Sequence, residues 1–283
     1  MPVAARLSPS PLDAAYRRLA RVTGVRVIRS PEAPPTGDGW LRGDSLAAGG
    51  AAPAAVSAAE AERLLRDHGR PARPDVAAGL ALHRYAWPAC LLFTVPWFWH
   101  RRVPWLAPGD VAVHRDAGRV AVRPGPFACL PGDPAAGLPG ARPVAGEAAL
   151  REALREAVAA HLGPVIEAFR PYTRRGRRAL WGMACDEIAE GLWYVAGLAG
   201  EADRAAAELS ALLPGDTPPY PGGAGFRVPE AEPEPEAGLP GGAALTRDRI
   251  SCCLFYTVLP SASCTRCPRG ADADRAPRVA AGA

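Results

Sequence analysis

The chain contains no lysine: all 33 of its basic residues are arginine, set against 29 acidic ones for a net charge of only +4. The arginine bias matches GC-rich codon usage and carries no mechanistic content. So even a balance excludes the broad basic footprint of a nucleic-acid binder, although a local arginine cluster could still dock an acidic partner. Uninterrupted apolar runs of membrane length are also missing. The longest, Ala86 to Trp99, is broken by Pro88 and Pro96 and closed by His100-Arg101-Arg102, short of the roughly 20 residues a bilayer helix needs. Met1 to Ser10 shows no apolar core and no small-residue cleavage site, so export is not expected and a cytoplasmic location is. There is no G-x-G-x-x-G or Walker loop, hence no recognisable site for NAD(P)H, flavin or nucleotide. The histidines His68, His83, His100, His114 and His161 lack H-x-x-x-H or H-E-x-x-H spacing, and none is read as a metal ligand. No internal repeat occurs.

What is present suffices for a large core, since 48% of 283 residues are hydrophobic. The expected fold class is α+β, mainly α-helical with a small central antiparallel β region and a C-terminal cysteine-bearing segment. Leu12 to Arg21 has helical spacing, and a loose stretch follows to about Ala55. Ser57, with Glu60 three residues on, reads as the N-cap of a helix ending near His68-Gly69, and Pro74 restarts one through Tyr85. From Cys90 the aromatic and β-branched residues Phe93, Val95, Trp97 and Trp99, interrupted by Pro96, predict an irregular or edge strand. Val111–Val113 and Val120–Val122 flank a Gly-containing turn and predict a hairpin.

After Gly146 a helix keeps Leu150, Leu154, Val158, Leu162, Val165, Ile166 and Phe169 on one face, with a kink or break at Gly163-Pro164. Further helices are expected over 177–198, with Leu180, Ala184, Ile188, Leu192 and Val195 inward, and over 201–213. Residues 1–145 thus read as N-terminal helices plus the β region, and 146–213 as a helical region. A Pro/Gly/Glu-rich linker that does not pack tightly is expected over 214–240, a cysteine segment over 241–269 and a frayed tail over 270–283.

Three of the seven cysteines, Cys90, Cys129 and Cys185, sit in apolar contexts and read as small buried hydrophobes. The other four lie close together in RISCCLFYTVLPSASCTRCPR as Cys252, Cys253, Cys264 and Cys267. A C-x-x-C turn lets two thiolates converge on one metal. Adjacent cysteines diverge, and so suit a centre larger than one ion. The spacing favours an iron–sulfur cluster. It leaves open a tetrahedral zinc site, which normally uses two spaced pairs, and a vicinal disulfide with a separate redox C-x-x-C, which strain and a reducing compartment disfavour.

This segment closely resembles the C-terminal signature of the FhuF-type ferric-siderophore reductases, whose C-C-x10-C-x2-C pattern agrees with it position for position. The helical stretch Arg177-Arg178-Ala179-Leu180-Trp181-Gly182-Met183 is similar to the region that precedes the motif in actinobacterial members. The resemblance implies that Cys252, Cys253, Cys264 and Cys267 hold one [2Fe-2S] cluster. It implies a one-electron reduction of Fe(III) in a siderophore, which weakens the grip of the chelate's hard oxygen ligands and releases Fe(II). With no nucleotide site in the chain, the electron would come from an external donor such as a ferredoxin or flavoprotein.

A non-catalytic iron–sulfur carrier, an iron or redox sensor and a zinc-stapled structural domain are the alternatives. Arg247, Arg249, Arg266 and Arg269 flank the ligands and would raise the cluster's potential or attract an anionic chelate, or else are merely solvated. The run Arg174-Arg175-Gly176-Arg177-Arg178, at a helix start where cations oppose the macrodipole, is a candidate docking site for chelate or donor through Arg177 and Arg178, or a solvated helix end. Trp97, Trp99 and Trp105 around His100 form either an aromatic wall for a siderophore or part of the core, with core favoured.

Overall fold

The computed structural model describes residues 9–228, 245–260 and 268. Cys264, Cys267, Arg266, Arg269, the tail 270–283 and residues 229–240 of the Pro/Gly/Glu-rich stretch lie outside the described residues.

In chain order the described elements are α1 (Asp13–Thr23), β1 (Arg26–Arg29), β2 (Trp40–Arg42), α2 (Gly43–Ala47), α3 (Ala51–His68), α4 (Pro74–His100), β3 (Arg102–Pro104), β4 (Val111–His114), β5 (Arg119–Val122), β6 (Phe127–Cys129), β7 (Ala141–Pro143), α5 (Glu147–Thr173), α6 (Arg177–Leu198), α7 (Ala202–Leu212), β8 (Phe226–Arg227) and β9 (Thr246–Arg247). This is a mainly helical α+β fold. The hairpin is present as β4 and β5, with Val111 opposite Val122 and Gly118 in the left-handed region in its turn. It lies within a four-stranded sheet of order β1-β5-β4-β2, whose outer β1 runs parallel to β5. A second small sheet, β3-β6-β7, is likewise mixed.

Cys90 to Trp99 is not a strand. It completes α4, a helix of 27 residues packed against α3, α5 and α6. Leu91, Phe93, Val95, Trp97 and Phe98 are all fully buried, because a helix wrapped on every side has no polar face and its sequence loses the 3.6-residue period. By length and composition α4 could cross a membrane, yet 72% of its most apolar window is buried inside the protein. It is the core helix.

Pro96 removes the N–H that would bond Leu92 O, and the Tyr16 hydroxyl of α1 donates to that carbonyl instead, at 3.0 Å. Tertiary contact thereby closes the gap that made a helix look improbable.

Three further boundaries differ from expectation. The stretch before Ala55 contains β1, β2 and α2, and α3 begins at Ala51 rather than at Ser57. Pro53 fits the first turn, and Ser57 donates to Pro53 O from inside the helix. Pro164 lies within a continuous α5, whose predicted apolar face is buried throughout. Residues 214–228 pack: Tyr220 is buried against Trp181, and its hydroxyl donates to Arg155 O at 2.6 Å. One hydrophobic core extends from Leu12 through α7 to Ala224, with Ile250 against it, and so runs across positions 145 and 213.

Candidate functional site

α6 carries Asp186 and Glu187 in the middle of an apolar surface, and both are buried. A carboxylate costs several kcal/mol to bury unless charge and hydrogen bonds compensate it. Here the compensation comes from the cysteine segment. Arg247 Nη2 donates to Asp186 Oδ1 at 2.7 Å, the backbone N–H groups of Ile250 and Ser251 reach the same carboxylate at 2.9 and 2.8 Å, and Ser251 Oγ donates at 3.0 Å. Asp186 thus collects four bonds from residues 247–251.

Arg247 is itself fully buried and also donates to Ala224 O, which joins the β8–β9 ribbon to α6. Close approach needs glycine at two points. A Cβ on Gly182 would lie 3.0 Å from Ile250 Cγ2, and one on Gly225, at φ +75°, would lie 2.4 Å from Asp248 O.

Arg249 sits between Glu190, at 3.1 Å, and Asp186 and Glu187, each at 3.8 Å. Burial works against its charge, and the three carboxylates outweigh that, so the guanidinium is held more firmly protonated than usual. Its Nε–H is buried with no hydrogen-bond acceptor among the described residues. Glu187 in turn pairs with His83 of α4 at 2.6 Å; this carboxylate raises the imidazole's pKa against the opposing effect of burial.

Cys252 and Cys253 follow directly, both half-buried. Arg175, in the loop between α5 and α6, donates to Cys252 O at 2.5 Å. Beyond them Leu254 adopts the left-handed conformation, and Cys253, Leu254, Phe255 and Val258 pack on Leu64 of α3 and Val76, Ala77 and Leu80 of α4. Two anchors therefore hold the thiol pair, a buried ionic network on one side and an apolar patch on the other. His83 and Arg249 lie close enough to Cys253 to interact with it electrostatically.

The expected site residues are dispersed around this arrangement. Arg249 adjoins the thiols but, like Arg247, is not solvated. Arg177 is exposed and paired with Glu167 at 2.8 Å, and Arg178 is exposed and donates to Pro221 O. Cys90, Cys129 and Cys185 are buried, and burial pushes the Cys185 thiol up to about 12. Trp97 is core, with Trp99 and Trp105 packed at its edge.

Asp186, Glu187 and Glu190 were not singled out by the sequence, Arg175 was noted only as part of the basic run at the start of α6, and His83 only as a histidine without metal-ligand spacing. The readable signal was Asp186-Glu187-x-x-Glu190 inside an otherwise apolar helix face, facing arginines at 247 and 249.

Among the described residues no group of three or more His, Cys, Asp or Glu is arranged to hold a metal ion. The half of the four-thiol set within them fits a sulfur-ligated cluster: two adjacent, accessible thiols on an irregular segment, with a buried, unsatisfied Arg249 Nε–H close by. No protein-family model matches the chain, and no curated protein does.

Proposed function

We propose that the chain is a [2Fe-2S] ferric-siderophore reductase acting in iron assimilation, with Cys252, Cys253, Cys264 and Cys267 as the thiolates that hold the cluster. The observation that carries this reading is the Cys252-Cys253 pair, half-buried and fastened from both sides, at the head of a C-C-x10-C-x2-C spacing. When bound, the cluster supplies a one-electron redox centre.

The chain's own residues do the rest. Asp186 holds residues 247–251 in place, so that both thiols are presented without a folding step. Arg175 places positive charge, and Arg249 an unsatisfied Nε–H, beside a centre that four thiolates would make anionic, and both would raise its potential. Phe255 and Val258 fasten the segment to α3 and α4 just beyond the thiol pair. The substrate is Fe(III) bound in a chelate, and a cytoplasmic ferredoxin or flavoprotein is the external donor this reading requires.

The test is an absorption and EPR spectrum of anaerobically purified protein before and after dithionite, with iron, sulfide and zinc counted. About two irons per chain are expected for a [2Fe-2S] centre, with a signal on reduction that Cys253→Ser abolishes. Mixing the reduced protein with a ferric siderophore should deliver Fe(II) to a ferrous trap. A colourless protein holding one zinc after reconstitution with iron and sulfide would overturn the reading. Indifference to the chelate would leave an electron carrier.

A further inference from the structure

α4 and the β4–β5 hairpin enclose a solvent-open cleft of about 250 Å³. His83, Arg84 and Trp87 enter it from α4, and His114, Arg115 and Arg119 from the hairpin; among the described residues no aspartate or glutamate lines it. Three guanidinium groups meet there with no facing carboxylate among the described residues, whereas most of the described arginines are in ion pairs. Arg84 is shared with Glu60 at 3.4 Å and donates to Arg115 O at 3.1 Å. Arg115 is exposed and Arg119 half-buried, and neither has an ion pair among the described residues.

Arg119 lies over the Trp40 ring at 5.5 Å, and its Nε–H is buried without an acceptor. An unsatisfied buried donor is costly, and the cost is removed when the Arg119 side chain turns to meet a ligand oxygen. The cleft also adjoins the thiols: His83, one of its walls, is bonded to Glu187 and lies within electrostatic reach of Cys253 and Arg249.

We propose that this cleft is the docking site of the ferric substrate and that it selects chelates of net negative charge, with carboxylate or catecholate oxygens facing Arg115 and Arg119 and an apolar or aryl edge against Trp87. The inference rests on the reductase reading and names the substrate class for it. Guanidinium and indole groups recognise the outer surface of such a complex. The described lining offers no hard anionic oxygen to compete for Fe(III), so the chelate stays intact until its iron takes one electron from the external donor and leaves as Fe(II). A neutral trihydroxamate complex finds no charge complement here. The cleft is open, and a chelate larger than its volume seats by one edge.

Gallium(III) complexes separate docking from reduction, because gallium is bound as Fe(III) is but is not reduced. Binding of a gallium tricatecholate and a gallium trihydroxamate to the full chain would be measured by tryptophan fluorescence and calorimetry. The anionic complex should bind at least tenfold more tightly than the neutral one. Arg115→Gln and Arg119→Gln should each weaken it about tenfold, Arg119→Lys should recover most of the loss, and Arg142→Gln, an exposed arginine on β7, should change it less than twofold.

Equal affinity for the two complexes, or equal losses in Arg142→Gln and the cleft variants, would overturn the proposal. The two readings fail separately. Ferric reduction that survives while gallium binding ignores Arg115 and Arg119 retires the cleft alone. Charge-selective binding by a colourless, zinc-loaded protein supports the cleft as a chelate site and retires the reduction.

Discussion

Asp186 shows what one buried charge can organise. Its four bonds all come from residues 247–251, so Asp186→Asn removes the nearest countercharge of the buried Arg247, leaving it Glu190 at 3.4 Å, and sets an amide N–H against backbone donors. A loss of about 3–5 kcal/mol is expected on chemical denaturation, with new proteolytic cleavage around residues 247–255 as the local signature. His161 provides a pH test. It is fully buried, receives the Tyr85 hydroxyl at Nε2 and donates from Nδ1 to Leu106 O, and burial lowers its pKa to about 4. The unfolded chain, titrating near 6.5, binds the proton that the native state refuses. Stability contributed by His161 is complete above pH 6.5, falls as pH drops from there to about 4, and is constant below. About 3 kcal/mol is at stake over that window. Urea unfolding at pH 7, 5.5 and 4 should show this slope, and His161→Gln should flatten it. Neither residue was conspicuous in the sequence, because a lone histidine or aspartate acquires its role only from partners that arrive from distant positions.

At the scale of elements, α4 is the instructive case. Its start at Pro74 was legible, since proline suits a first helical turn, whereas its second half was obscured by the uniform burial that makes it the core helix. The Tyr16 bond to Leu92 O gives this a quantitative check. Tyr16→Phe should cost about 1 kcal/mol, because it leaves a buried carbonyl unsatisfied. In a Pro96→Ala background the restored N–H can take over that carbonyl, and the same substitution should cost less than half as much, a coupling that a double-mutant cycle in denaturant would resolve. Amphipathic helices were easier. The apolar faces of α5 and α6 keep their period because each has a partly exposed side, and both were placed by periodicity, α5 with an expected break that packing overrides.

Across the whole molecule, the cysteine segment is attached at two separate places, through Asp186 of α6 and through the apolar patch on α3 and α4. Val258→Ala removes apolar area from the patch formed with Leu64, Val76, Ala77 and Leu80. It should speed amide exchange over residues 250–258 about tenfold, while the protection of α5 and α6 is unchanged, since local opening draws on local contacts. Coincident loss of protection everywhere would show instead that segment and core form one cooperative unit. The sequence by itself determined the fold class, the hairpin, the amphipathic helices and the thiol spacing, because each is encoded by neighbours within a few residues of one another. Only the tertiary structure decided that an apolar, proline-interrupted run is one helix, that 214–228 packs, and that Arg249 faces carboxylates rather than water. Those outcomes depend on which distant groups supply a burying surface, a hydroxyl for an orphaned carbonyl or a countercharge, and no local pattern records them.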